Sequence, residues 1–127
     1  MNEKNTENSW EEIARLCAPF LEKGFAFEYF HQKGGDSSCV YVYRFKKGKN
    51  FFDWRETSGK YEIHLVIFVN GEYRFPILEK RHKRLTRKWR WKHLFKTPEI
   101  SEKRKIFAAL LEEELTKNPT DFFGIKL

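Results

Sequence analysis

Hydrophobic positions along this chain change period several times, and the changes divide it into elements. Residues 1–8 are polar, show no apolar repeat and are expected to form a disordered N-terminus. At Ser9 a helix signal begins. Ser9 is placed to cap it, and Glu12 three residues on completes a capping box. Ile13, Leu16, Cys17, Phe20 and Leu21 then recur at the spacing of one buried helical face. Pro19 lacks an amide donor and should kink or loosen the last turn, and Gly24 suits the stop.

From Phe25 the period falls to two. Phe25, Phe27 and Tyr29 share one face of a strand, and a turn over 33–38 follows. Cys39, Tyr41, Tyr43 and Phe45 share a face of the second strand. A lysine-rich turn over 46–50 leads to a third strand over 51–56, ended by residues 57–60. Tyr61, Ile63, Leu65, Ile67 and Val69 form one face of the strongest strand. Val66 and Phe68 make its other face partly apolar, so it is expected to be central, with its odd positions toward the helices. Asn70-Gly71 signals a tight hairpin. A fifth strand over 72–78 carries Pro76, which suits an edge or a strand end.

Residues 79–95 fit two templates. As a helix, Leu78, His82, Leu85 and Trp89 line one face while Trp91 and Leu94 fall opposite. As a strand, Leu85, Trp89, Trp91 and Phe95 alternate with Lys88, Arg90, Lys92 and Lys96. The strand fits better from Leu85 onward. The expectation is therefore a basic loop over 79–84 and a sixth strand over 85–95. Thr97-Pro98 reads as the start of a long helix striped by Ile100, Phe107, Leu110, Leu111 and Leu115 and stopped at Asn118-Pro119. Phe122, Phe123 and Ile125 indicate a tail that packs.

These elements predict an α+β fold. Residues 9–127 form a single domain, a mostly antiparallel five- or six-stranded meander with N-terminal and C-terminal helices packed on one face. Antiparallel order follows because the strand connections are too short for crossover helices. The chain has 127 residues, enough to bury a core without disulfides or metals. The many aromatic residues exclude a disordered chain, and most of them are expected to pack. Cys17 and Cys39 give no C-x-x-C pair, so neither a disulfide framework nor a zinc site is indicated. No segment has the apolar length of a signal peptide core or membrane span, which points to a cytoplasmic protein with no integral membrane segment.

Charge changes the picture more than composition does. The chain carries +7, but nine of its 25 basic residues fall in Lys80–Lys96, a stretch with no acidic residue. Without it, 16 basic residues would face 18 acidic ones, a net −2. Ordinary solvated faces mix signs, so uncompensated density of this kind suits a polyanion or an acidic surface. The candidate contacts are Lys80, Arg81, Lys83, Arg84, Arg87, Lys88, Arg90 and Lys92, with Trp91 as a stacking residue. The competing reading of Trp89 and Trp91 is packing in the core, the commoner fate of tryptophan. Lys46, Lys47 and Lys49 would extend the basic surface if they lay beside it.

Other chemistry is thinly represented. Asp53, Glu56, Glu62 and His64 lie on neighbouring strands, where a metal-dependent nuclease holds acidic residues and a lysine, but histidine stands where lysine would be. The alternative is an exposed sheet face with charge pairs such as Arg55 with Glu62. His31, His64, His82 and His93 lack ligand spacing, and no cofactor motif occurs. The leading expectation is a non-enzymatic module binding nucleic acid through residues 80–96. The alternatives are an accessory or inhibitor-type protein docking an acidic protein, a metal-dependent nuclease or other hydrolase, and a peripheral binder of anionic lipid.

Overall fold

The first helical stripe folds as two helices, because Pro19 cannot continue one. In the computed structural model α1 spans Asn2–Leu16, Cys17 forms the break, and α2 spans Ala18–Glu22 with proline in its first turn. The structure describes residues 2–33, 39–57, 62–92 and 99–127, with the backbone alone for 2–8, Lys33 and Cys39. Ser9 does not cap a helix: it lies inside α1, and its hydroxyl is 2.7 Å from that of Tyr43 on the sheet. Gly24, at φ +96°, turns the chain out of α2.

Five strands follow as a meander: β1 (Ala26–Lys33), β2 (Cys39–Lys47), β3 (Asn50–Thr57), β4 (Glu62–Val69) and β5 (Glu72–Arg74). Among the described residues they form one antiparallel sheet in sequence order. β3 is therefore the central strand, a correction to the expectation for β4. β4 has β3 on one side, but β5 meets it only from Ile67 to Val69. Pro76, just beyond β5, has no amide hydrogen to extend that ladder. Both residues of the Asn70-Gly71 turn have positive φ, as a two-residue hairpin of this hand requires.

Side-chain alternation splits the sheet into two faces. Tyr43, Phe45, Phe52, Trp54, Leu65, Ile67 and Val69 point to one of them and join Ile13, Cys17 and Phe20 in the core. The odd positions of β4 thus face the helices, as their spacing predicts. Phe20 meets Phe25, Phe52 and Phe122 edge-on, and Trp54 meets Phe107 in the same way. Each such ring contributes about 1.5–3 kcal/mol by leaving water. The opposite face carries Arg44, Phe51, Asp53, Val66, Phe68 and Tyr73.

After β5 the basic stretch is helical, which corrects the expected loop and sixth strand. α3 spans Leu78–Arg81 and α4 spans Lys83–Lys92; residues 93–95 lie outside the described residues. Leu85 reaches the core, Thr86 is buried and Trp89 is half-buried. Those three close one side of a helix at i, i+1 and i+4 and do not need Trp91. Lysine, arginine and leucine also favour helix. The alternation of Trp89 and Trp91 suggested period two from only two residues. α5 spans Ile100–Lys117 with Glu99 as N-cap; Thr97 and Pro98, expected to start this helix, lie outside the described residues. Its buried side is Phe107, Ala108, Leu110, Leu111, Glu114 and Leu115. The tail forms a small hairpin, β6 (Asp121–Phe122) and β7 (Ile125–Lys126), and seals Phe122 and Ile125 into the core.

Candidate nucleic-acid interface

The basic helix is held in place from its N-terminal side. Leu78 of α3 is buried. Arg81 donates two hydrogen bonds to the Glu114 carboxylate of α5, at 2.9 and 2.8 Å. Nε2 of His82 lies 2.8 Å from the same carboxylate, and Asn118 donates to it at 3.0 Å. An ionised carboxylate only accepts, so the imidazole hydrogen sits on Nε2. Nδ1 of His82 is buried with no partner among the described residues. Burial opposes the charge of Glu114, but the hydrogen bonds from Arg81 and His82 outweigh it and hold its pKa below the ordinary carboxylate value. Arg81 also lies over the Phe123 ring, 4.8 Å from its centroid. It belongs to the clasp that fixes α3 and α4 to α5, so it is not a free surface cation. Thr86 ties the start of α4 back, donating to the His82 carbonyl at 3.0 Å.

Beyond that anchor α4 presents Lys83, Arg84, Arg87, Lys88, Arg90 and Lys92 to solvent. With about 100° per residue, Arg84, Arg87, Lys88 and Trp91 fall within about a third of the helix circumference. Leu85, Thr86 and Trp89 occupy the opposite side. Trp91 is 76% exposed, the most exposed large hydrophobic side chain among the described residues. Neither these six cations nor Lys80 forms an ion pair among the described residues. The two expected fates of the tryptophans are divided: Trp89 packs partway into the protein, and Trp91 stands on the basic face.

The remaining sequence candidates do not assemble into a second site; among the described residues only Glu62 and His64 of the acidic set approach each other, at 4.0 Å. Lys47 donates to the Lys23 carbonyl and lies over the Phe25 ring, closing the end of α2, while Lys46 and Lys49 are exposed in the β2–β3 turn region. Asp53 and Glu56 point to opposite faces of the sheet. Asp53 is buried and accepts two bonds from Arg44, at 2.8 and 2.9 Å, while Arg44 stacks 3.8 Å from the Phe51 centroid. Glu56 faces the helices, accepting from Trp54 Nε1 at 2.9 Å and from Arg104 at two atoms, both 2.8 Å. Glu62 and His64 are exposed on β4. Arg55 pairs in register with His64 and donates to Gln32, so the expected Arg55–Glu62 pair does not form. The described residues contain no group of three or more metal-ligating side chains. His31 sits against the Tyr41 ring, and His93 lies outside the described residues. Burial pushes the Cys17 thiol far above its ordinary pKa, so the thiolate is suppressed.

Sequence reasoning missed two buried carboxylate clusters on the helix side of the sheet, Glu114 with Arg81 and His82, and Glu56 with Arg104 and Glu12. A signal was present for each acid. Glu114 lies on the apolar stripe, three residues after Leu111, and Glu56 continues the inward alternation of Phe52 and Trp54. An acid on a buried stripe implies a partner. The charged partners, tens of residues away, leave no local trace.

Comparison with protein-family models, with curated proteins and with solved structures gives no match. Among the described residues no helix is long and apolar enough to cross a membrane.

Proposed function

We propose that this protein is a non-enzymatic module that binds single-stranded nucleic acid through the exposed face of α4. The observation that carries the reading is Trp91, exposed and set among Arg84, Arg87 and Lys88 on one helical face with no neutralising acid among the described residues. Phosphates need cations, and an unpaired base offers a flat apolar surface that an indole can stack on. A helix of this length presents about 15 Å of basic surface. About four of the free cations can meet one strand together. Their counterion release gives a slope of log K against log salt near −3 for single strands, from about 0.7 per contact.

Fluorescence anisotropy with labelled single- and double-stranded oligonucleotides at two salt concentrations tests this. The expected result is weak, sequence-tolerant binding that falls with salt. Single strands should quench tryptophan emission more than duplex does, and Trp91→Ala should abolish that difference. Absence of binding at low salt overturns the reading and leaves an acidic protein as the partner to seek.

A further inference from the structure

Three of the five large hydrophobic side chains exposed among the described residues lie on the edge strand β5 or in the segment that follows it. Tyr73, Phe75 and Ile77 are 59%, 69% and 51% exposed and alternate along the chain that ends the meander. Concentrated apolar exposure of this kind marks an interaction surface. β5 carries the start of this row, and its outer side meets no strand among the described residues.

The backbone there is arranged for another strand. Val69 and Glu72 flank a two-residue turn, and such a flanking pair exchanges hydrogen bonds. The alternation then directs the N–H and C=O of Glu72 and Arg74 toward β4 and those of Tyr73 outward. Tyr73 therefore offers one free donor and one free acceptor at the middle of the edge.

We infer that β5 pairs antiparallel with β5 of a second copy of this chain about a two-fold axis through Tyr73. The sequence Glu72-Tyr73-Arg74 is self-complementary in that register. Tyr73 meets its own counterpart and exchanges both backbone hydrogen bonds with it. Glu72 lies opposite Arg74 of the second copy, and Arg74 opposite its Glu72. Neither residue forms an ion pair within its own chain among the described residues. Arg74 is steadied by a bond from Nη1 to the Phe123 carbonyl, at 3.2 Å, which leaves its charge uncompensated. Tyr73 already packs on Phe68, and Phe68 on Phe51, so pairing continues that aromatic row across the axis. An isologous contact of this kind closes at two copies. The result is a ten-stranded sheet carrying two α4 helices, and it does not depend on what α4 binds.

The contact is short, so the dimer belongs at the small end of specific interfaces and forms only at high chain concentration. Sedimentation equilibrium over a wide concentration range is the test. The expected mass rises from one 15.4 kDa chain toward two. Glu72→Arg should weaken dimerisation at least about tenfold by setting like charges opposite each other. Glu72→Arg combined with Arg74→Glu restores opposite charges and should restore the dimer. Thermal melts of each variant identify any that fail to fold. A single-chain mass throughout overturns the inference, as does a folded Glu72→Arg protein that dimerises undiminished or a folded double variant that stays monomeric.

Discussion

The buried side of α5 and the open side of α4 use the same residue types in opposite ways. Along α5, Arg104 joins Glu12 and Glu56 at 2.8 Å, and Glu114 collects Arg81, His82 and Asn118. Although burial opposes its charge, those carboxylates hold Arg104 above its ordinary pKa. On α4, six cations in ten residues have no acidic partner among the described residues. Tryptophan divides likewise: Trp54 is fully buried with its Nε1 hydrogen on Glu56, and Trp91 stands in solvent. Charge that is paired and buried specifies how elements pack. Charge left bare on a rigid helix is available to something outside the chain.

The largest effect is expected from breaking the buried side. Trp54→Ala should cost about 3–5 kcal/mol in denaturant melts, the range for truncating a buried large aromatic side chain. It also leaves Glu56 without one of its donors. Leu65→Ala, on the same inner face of the sheet, should cost about 2–5 kcal/mol. Glu56→Ala should cost about 3 kcal/mol, because it strips Arg104 of a buried partner while Glu12 retains part of its charge. A loss below about 1 kcal/mol for either Leu65→Ala or Glu56→Ala would remove the distinction between the regions.

The buried Glu114 cluster, unlike the open side of α4, ties stability to pH. Its pKa lies below the ordinary 4.5 in the folded chain, so the unfolded chain takes up the proton first as pH falls. The stability it contributes is complete above the unfolded value and is lost as pH falls through the lower folded one. Glu114→Gln should therefore lower stability at neutral pH and flatten its decline on the acid side, measured by urea melts from pH 7 down to about 3. An acid limb as steep as that of the unchanged protein would show that the clasp does not carry this effect. The smallest effect belongs to Trp91→Ala, which should leave stability within about 0.5 kcal/mol, as at any exposed site.

The meander was legible because its signals are local. Alternation in β2 and β4, the Asn70-Gly71 turn and the stripe of α5 each act within a few residues, and the inward positions of β4 follow from them. β3 rather than β4 is the middle strand because the sheet runs in sequence order and stops at β5, the stretch expected as a sixth strand being helical, which apolar content does not reveal. The basic stretch misled because lysine and arginine suit either template, and two tryptophans two apart imitate a strand. The deciding contacts, Leu85 against the core and His82 on Glu114, join residues far apart in sequence. The basic density itself was visible from composition, whereas the exposure of Trp91 follows only from the helix.

Reversing Arg84, Arg87 and Lys88 to Glu together puts the proposed binding face of α4 to the test, with oligonucleotide affinity and thermal melting measured on the same preparation. Among the described residues these side chains neither pack nor pair, so binding should be lost at low salt with the melting temperature nearly unchanged. Undiminished binding by the folded variant, or unfolding caused by the reversal, would contradict that proposal.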